Sequence, residues 1–245
     1  MARSIAINVA ANTNLPGFRG PIYPDGSFVY LPIPEREPTV ESVPTYDDLL
    51  AELDPLPFAV DEETRGRRVH LDPEFAEYPT CSRYTYGDEH GVKAGPLAEL
   101  EPRDSLFFYA TLSRYDSPSP SPGPAVGWVA PDWGAYLIGE FRVDRVFDAA
   151  DCADLSAFDR HGVDTNAHCK RDPFDAKVLV VGSDDSRLFD RAVPLRAPDS
   201  GSTANRLVTD LSNDSGKGPW WRRRLWFDAA ATDRLRAIVD GEVEL

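Results

Sequence analysis

The chain has 245 residues, 42% of them hydrophobic, with 41 acidic against 26 basic side chains and a formal net charge of −15. That length supports a full core in one large domain. No apolar run approaches the ~20 residues that span a bilayer, and the N-terminus lacks the charged-then-apolar pattern of a secretory signal. A membrane partner is therefore not expected, and a cytoplasmic protein is. Cys81, Cys152 and Cys169 are odd in number with no Cys-x-x-Cys, which argues against a disulfide framework.

The chain opens with a short apolar strand, Ile5 to Val9. It runs into three closely spaced amides, Asn8, Asn12 and Asn14, and a Gly/Pro/Arg loop that includes Arg19. A second alternating strand is expected from Ser27 to Ile33. Buried amides must be hydrogen-bonded, and glycines let backbone approach a ligand, so this stretch has the character of a binding loop. Residues 35–96 form a long loop region with one short helix signal, Thr45 to Leu53. There Thr45 is the N-cap and acidic residues fill the first turn. Long loops in compact domains usually carry function.

Ser105 to Leu112 has the composition of a buried strand. The Ser/Pro tract 116–124 is an exposed loop. Trp133 to Phe147 is a long strand pair with Gly139 as a bulge or bend. Lys177 to Gly182 is another buried strand, and Asp184 to Val193 a turn leading to an edge strand. Asp228 to Val239 is the clearest helix, capped by Asp228, with Leu235, Ile238 and Val239 on one face. These elements predict a single α+β domain over residues 1–245. Its core is mixed, mainly antiparallel and β-barrel-like, with short helices and long loops.

The basic residues comprise only four lysines against twenty-two arginines, and aspartates outnumber glutamates 27 to 14. Such an acidic, lysine-poor balance resembles proteins of salt-in halophilic archaea, whose acidic surfaces keep them dispersed when salt screens charge over a few ångströms. In molar salt, counterion release adds little to nucleic-acid affinity. The negative net charge thus does not exclude a nucleic-acid partner, but recognition must come from stacking, hydrogen bonds and local arginine clusters.

Asn8-Val-Ala-Ala-Asn12-Thr13, Gly20-Pro-Ile-Tyr-Pro-Asp-Gly-Ser-Phe28 and Leu31-Pro-Ile-Pro-Glu35 resemble the N-terminal signature of the nucleotide-modification-associated domain family, third class. The resemblance continues through Gly87-Asp-Glu-His90, Leu106 to Ala110, Asn166-Ala-His168 and Val178 to Gly182. It spans nearly the whole chain and implies a link to altered DNA bases in phages and prokaryotes. The order Asp104 to Ala110, loop, Tyr136 to Val143 also resembles PUA-like barrels of the EVE and ASCH types. Such barrels bind RNA or a flipped modified base in a cleft.

Three constellations carry candidate chemistry. In Asp159 to Asp172, the residues Asp164, Asn166, His168 and Arg171 supply acceptor, amide, ring and donor fork for a base edge. In Tyr84 to His90, the rings Tyr84 and Tyr86 suit stacking, while Asp88 and His90 pair acid with base. In Pro219 to Phe227, Trp220, Arg222, Arg223 and Arg224 suit single-strand contact. No metal or other cofactor is expected: Cys152, His161, His168 and Cys169 have eligible ligand types but fit no zinc spacing.

Phosphate-loop, dinucleotide and serine-triad signatures are missing from the sequence. The leading expectation is a reader of a modified nucleobase or nucleotide. Its cleft would be built from Asn8, Asn12, Asn14, Arg19, Tyr84, Tyr86, Asp164, Asn166 and Arg171. The alternative is an enzyme of base or nucleotide modification using Asp88, His90 or His168 as acid or base. A third reading is a phage-defence protein-interaction module.

Overall fold

The computed structural model describes residues 3–40, 42–117, 119–120, 122–153 and 162–243. Strands β1 (Ser4–Asn8), β6 (Ser105–Arg114) and β7 (Trp133–Phe147) form its centre. The other strands are β2 (Pro21–Ile22), β3 (Ile33–Pro34), β4 (Val69–His70), β5 (Thr85–Asp88), β8 (Val178–Gly182), β9 (Arg187–Pro194) and β10 (Leu225–Phe227). The main path is β10-β1-β6-β7-β8-β5, with β2 on β6 and β9 on β7, while β3 and β4 form a separate pair. β1 and β2 run parallel to β6; the other pairings are antiparallel. The fold is α+β, and the sheet stays open. It does not close into a barrel: β10 and β5 end the path unpaired to each other among the described residues.

Period-two alternation explains why this sheet sits at the centre. Ile5, Ile7, Leu106, Phe108, Tyr136 and Ile138 point to one face, Ala6, Phe107, Tyr109, Ala135 and Leu137 to the other, and all are buried. A strand buried on both faces reads as a continuous apolar run. The helix Ala229–Val239 covers the second face with Leu235 and Ile238; Asp228 caps it by accepting from Ala231 N. The first face is covered by Tyr30, Phe75, Tyr78 and Tyr86. Phe75 meets Tyr30, Phe108 and Phe141 edge-on, with ring centres 5.4–5.8 Å apart.

Trp133 to Phe147 is one strand of 15 residues rather than a pair. Its register against β6 slips so that Phe108 faces Gly139 and Tyr109 faces Leu137, leaving Ile138 as the extra residue of a bulge. Ser27 to Ile33 is not a strand. Phe28 makes only an isolated bridge to Ile22, and regular pairing begins only at Ile33, in β3.

Residues 35–96 are far from a structureless loop. They contain helices Tyr46–Glu52 and Glu62–Arg65, β4 and β5, and the start of the helix Gly91–Ala98. The first of these starts as the sequence indicates: Thr45 and Asp48 form a reciprocal capping box.

Candidate functional site

Four segments converge beside the C-terminal end of β1. The β3–β4 pair brings Glu35 next to His70, and the chain continues to Asp72. β5 ends in Gly87 and Asp88. The segment Asn166 to Arg171 is laced to residues 38–40 by Val40 N to Lys170 O (2.9 Å) and Asp172 N to Pro38 O (3.0 Å). Together they form a cavity of about 450 Å³, within the size range of small-molecule sites. Its wall includes Asn8, Asn12, Ile33, Tyr86, Asp88, His90 and Lys93; His70, Asp72, His168 and Arg171 also line it.

Arg171 organises the charges around this group. Its guanidinium donates to Glu35 Oε1 through Nη2 at 2.9 Å, to Asp175 Oδ2 at 2.6 Å, and to Glu89. Glu35 and Asp175 in turn accept from the histidines: His70 Nδ1 lies 2.7 Å from Glu35 Oε2, and His168 Nδ1 lies 2.7 Å from Asp175 Oδ1. The two imidazoles meet edge to face, 5.0 Å between centres. Burial alone would raise the Glu35 pKa, but the His70 and Arg171 contacts override it and hold the carboxyl down at about 2. Asp175 is likewise held well below the ordinary carboxylate range.

Asp72 behaves oppositely. Burial pushes its carboxyl up to about 7, partly offset by His168 and two hydrogen bonds, with nearby Asp88 adding to the rise. Those bonds come from Gly87 N (2.8 Å) and Asn166 Nδ2 (2.8 Å), both to Oδ1. Asn166 also donates to Thr85 Oγ1 at 3.1 Å and accepts from His168 N at 3.0 Å, so its buried amide locks the 3₁₀ turn Ala167–Lys170 against β5. Close packing explains Gly87: a Cβ there would lie 2.5 Å from His168 Cδ2 and 2.9 Å from Asn166 Oδ1.

The structure places the sequence-derived candidates unequally. Asn8, Asn12, Tyr86, Asp88, His90, His168 and Arg171 line the one cavity. Among these amides, Asn8 has its Nδ2 buried without a hydrogen-bond partner. Asn12 spends its Oδ1 on the backbone of Asn14 (2.9 Å), forming a local turn, and Asn14 is exposed. Asn166 stands behind the cavity wall. Asp88 is buried, accepting from Tyr86 OH (3.0 Å) and His90 N (2.7 Å), while the His90 ring is 75% exposed.

Other candidates sit elsewhere. Tyr84 lines a separate cavity of about 540 Å³ with Arg83, Phe147 and Asp184. Asp164 is exposed, outside the lining. Arg19 lies 4.5 Å over the Trp133 ring with a buried, unpartnered Nε.

Trp220 is 0% exposed and donates Nε1 to Ser202 O, so it is a core side chain and not a stacking platform. Arg223 pairs with Asp214 at 2.9 Å, Arg222 is exposed and Arg224 half-buried. His161 lies outside the described residues. Cys152 and Cys169 join an apolar cluster with Phe147, Val163 and Leu179, and burial pushes the Cys152 thiol up to about 11.

Sequence reasoning missed Glu35, His70, Asp72 and Asp175. One signal was present: His70-Leu71-Asp72 alternates, and in extended chain residues two apart share a side.

Sheet and cavity together define an α+β domain with a ligand-sized cleft, floored by a buried His/Asp/Arg cluster. The family model for nucleotide modification associated domain 3 matches residues 3–239, nearly the whole chain, and the chain belongs to that family. No curated protein and no solved structure matches it. Membership associates the chain with nucleotide modification. Among the described residues no helix is long and apolar enough to cross a membrane.

Proposed function

We propose that the chain binds a nucleobase or nucleotide, in a DNA-modification setting, within the cavity between Asn8 and His168. The observation that carries this reading is the unpartnered Nδ2 of Asn8 in a residue of the cavity wall. A buried donor left without an acceptor costs free energy, and the carbonyl or ring nitrogen of a base supplies one. Asp88 and Asp72 add acceptors, Lys93 and Arg36 add cations, and Val9, Leu15 and Ile33 add apolar surface for a flat ring. Polar and charged side chains dominate this lining beside the apolar patch, a mixture that suits a polar ligand with a flat ring.

A second reading, an enzyme acting on that ligand, is favoured by the two His–carboxylate pairs facing Asp72 on the cavity floor. Groups with opposed pKa shifts in one cleft are the pattern of acid–base sites. A reader and an enzyme separate on one variant. With His168→Ala, an enzyme loses turnover and retains ligand, whereas a reader has only binding to lose.

Calorimetric titration with canonical and modified nucleoside monophosphates tests the shared claim. Wild type should bind at least one of them, and Asn8→Ala should weaken that affinity by about 1 kcal/mol, roughly fivefold, as loss of one hydrogen bond does. Equal affinity in Asn8→Ala would remove the amide from the site.

A further inference from the structure

The cavity floor contains a second arrangement, independent of what fills the space above it. His70, Asp72 and His168 are all buried, and their ligand atoms lie within 4.8 Å of one another. Asp72 Oδ2 is 3.9 Å from His70 Nε2 and 3.7 Å from His168 Nε2. We propose that these three side chains form a binding site for one divalent first-row transition-metal ion, a two-histidine, one-carboxylate set opening onto the cavity. This goes beyond nucleotide recognition and stands without it.

The hydrogen bonds behind each ligand point the same way. Each histidine Nδ1 lies 2.7 Å from a carboxylate oxygen, of Glu35 for His70 and of Asp175 for His168. Both carboxylates already accept from the Arg171 guanidinium, so contacts this short place the shared proton on Nδ1. The guanidinium of Arg171 approaches the same nitrogens at 3.2 and 3.3 Å, longer contacts that follow from its grip on the same carboxylates. A ring that carries its proton on Nδ1 offers Nε2, the atom facing Asp72, as its ligand nitrogen. Asp72 is divided in the same manner: Oδ1 accepts from Gly87 N and Asn166 Nδ2, and Oδ2 faces the two rings. Three lone-pair donors therefore converge on one point. Carboxylate–histidine pairs of this kind orient metal ligands and raise their basicity.

Charge and distance agree. Glu35, Asp72, Glu89 and Asp175 bring four carboxylates to the cluster, and Arg171 is the cation bonded among them. A dication offsets two of the charges left over. Bonds of about 2.0–2.2 Å hold ligand atoms roughly 3–3.5 Å apart, so each Asp72–histidine contact closes by less than about 1 Å from the observed 3.7 and 3.9 Å.

The neighbouring trio Glu89, His168 and Asp175 is a contrasting case. There the Arg171 guanidinium already stands between the carboxylates and within 3.2 Å of the ring, filling the cation's place. The His70–Asp72–His168 trio instead opens on the cavity. Three protein ligands with positions left over for solvent or substrate is the pattern of catalytic rather than structural sites.

The test uses the full chain, stripped with chelator, titrated with Zn²⁺ by calorimetry and with Co²⁺ by visible absorption. One equivalent should bind. Asp72→Asn should weaken binding at least about a hundredfold, and His70→Ala with His168→Ala should abolish it. Glu35→Gln, behind the ligand, should weaken it about 10–100-fold. Because these variants remove buried groups, a second measurement uses unmutated protein: substoichiometric Mn²⁺ or Co²⁺ should broaden the imidazole NMR signals of His70 and His168 together, ahead of exposed His90. Absence of stoichiometric uptake, uptake unaffected in the double variant, or broadening led by His90 would overturn the proposal.

Discussion

Arg171→Ala should destabilise the fold by about 3 kcal/mol, the low end of the 3–5 kcal/mol typical when one member of a buried ion network is removed. In a domain of this size that is a fall in melting temperature of roughly 6–12 °C. The cost arises from what remains. The Glu35 side chain is 2% exposed and loses its guanidinium partner, while Glu89 and Asp175 lose the same cation. Lysine in its place should recover little, since one ammonium cannot serve the Glu35 and Asp175 sides at once as the planar fork does.

The pH dependence checks the cause. Glu35 and Asp175 have folded pKa values depressed below their unfolded ones. Their contribution is therefore present above the unfolded carboxylate range and is lost as pH falls through the folded value, about 2 for Glu35. The gap between wild type and Arg171→Ala, followed by chemical denaturation, should narrow steadily below about pH 4. A gap that is unchanged at low pH would mean that Arg171 acts through packing and not through its carboxylates.

Gly87→Val should be the next most damaging change, at about 3 kcal/mol, the upper part of the overpacking range. The new Cβ alone would sit 2.5 Å from His168 Cδ2, and two further methyls have nowhere to go because β5 is buried on both sides. Relief requires pushing His168 and Asn166 outward, which also strips Asp72 of its Asn166 bond. Gly87→Val should therefore lose ligand binding more completely than Asn8→Ala while retaining its far-ultraviolet dichroism. Ligand binding that survives in Gly87→Val would show that the floor of the cavity is not needed for recognition.

The sheet was legible because its strands carry their own signals. Ser105 to Leu112 is nearly all apolar, Val178 to Gly182 likewise, and Asp228 and Thr45 announce the helices they cap. The covering layer was not. Ser27 to Ile33 alternates like a strand, yet its side chains are buried by irregular backbone whose path is fixed by prolines and by Tyr78 OH bonding Tyr30 O at 2.6 Å. Gly87-Asp88-Glu89 carries no strand signal, since glycine between polar residues more often marks a turn. Here the glycine is small because His168 rests on it, a contact between distant segments that local sequence does not contain.

The site divides along the same line. Asn8, His168 and Arg171 stood out by type and clustering. His70, Asp72 and Glu35 are single residues in unrelated stretches, joined only by the β3–β4 pair. Trp220 illustrates the reverse error, a cluster of aromatic and arginine residues whose central ring serves the core.

The central claim is that the Asn8–His168 cavity is where a nucleobase or nucleotide binds. Titrating the nucleoside monophosphate that binds most tightly into ¹⁵N-labelled protein, and following the Asn8 side-chain amide and the His168 ring by NMR, tests it most directly. Both should move together along one saturation curve, with the Asn8 amide shifting as its Nδ2 gains an acceptor. Saturable shifts confined to the Trp221–Arg224 face, with Asn8 and His168 unmoved, would contradict it.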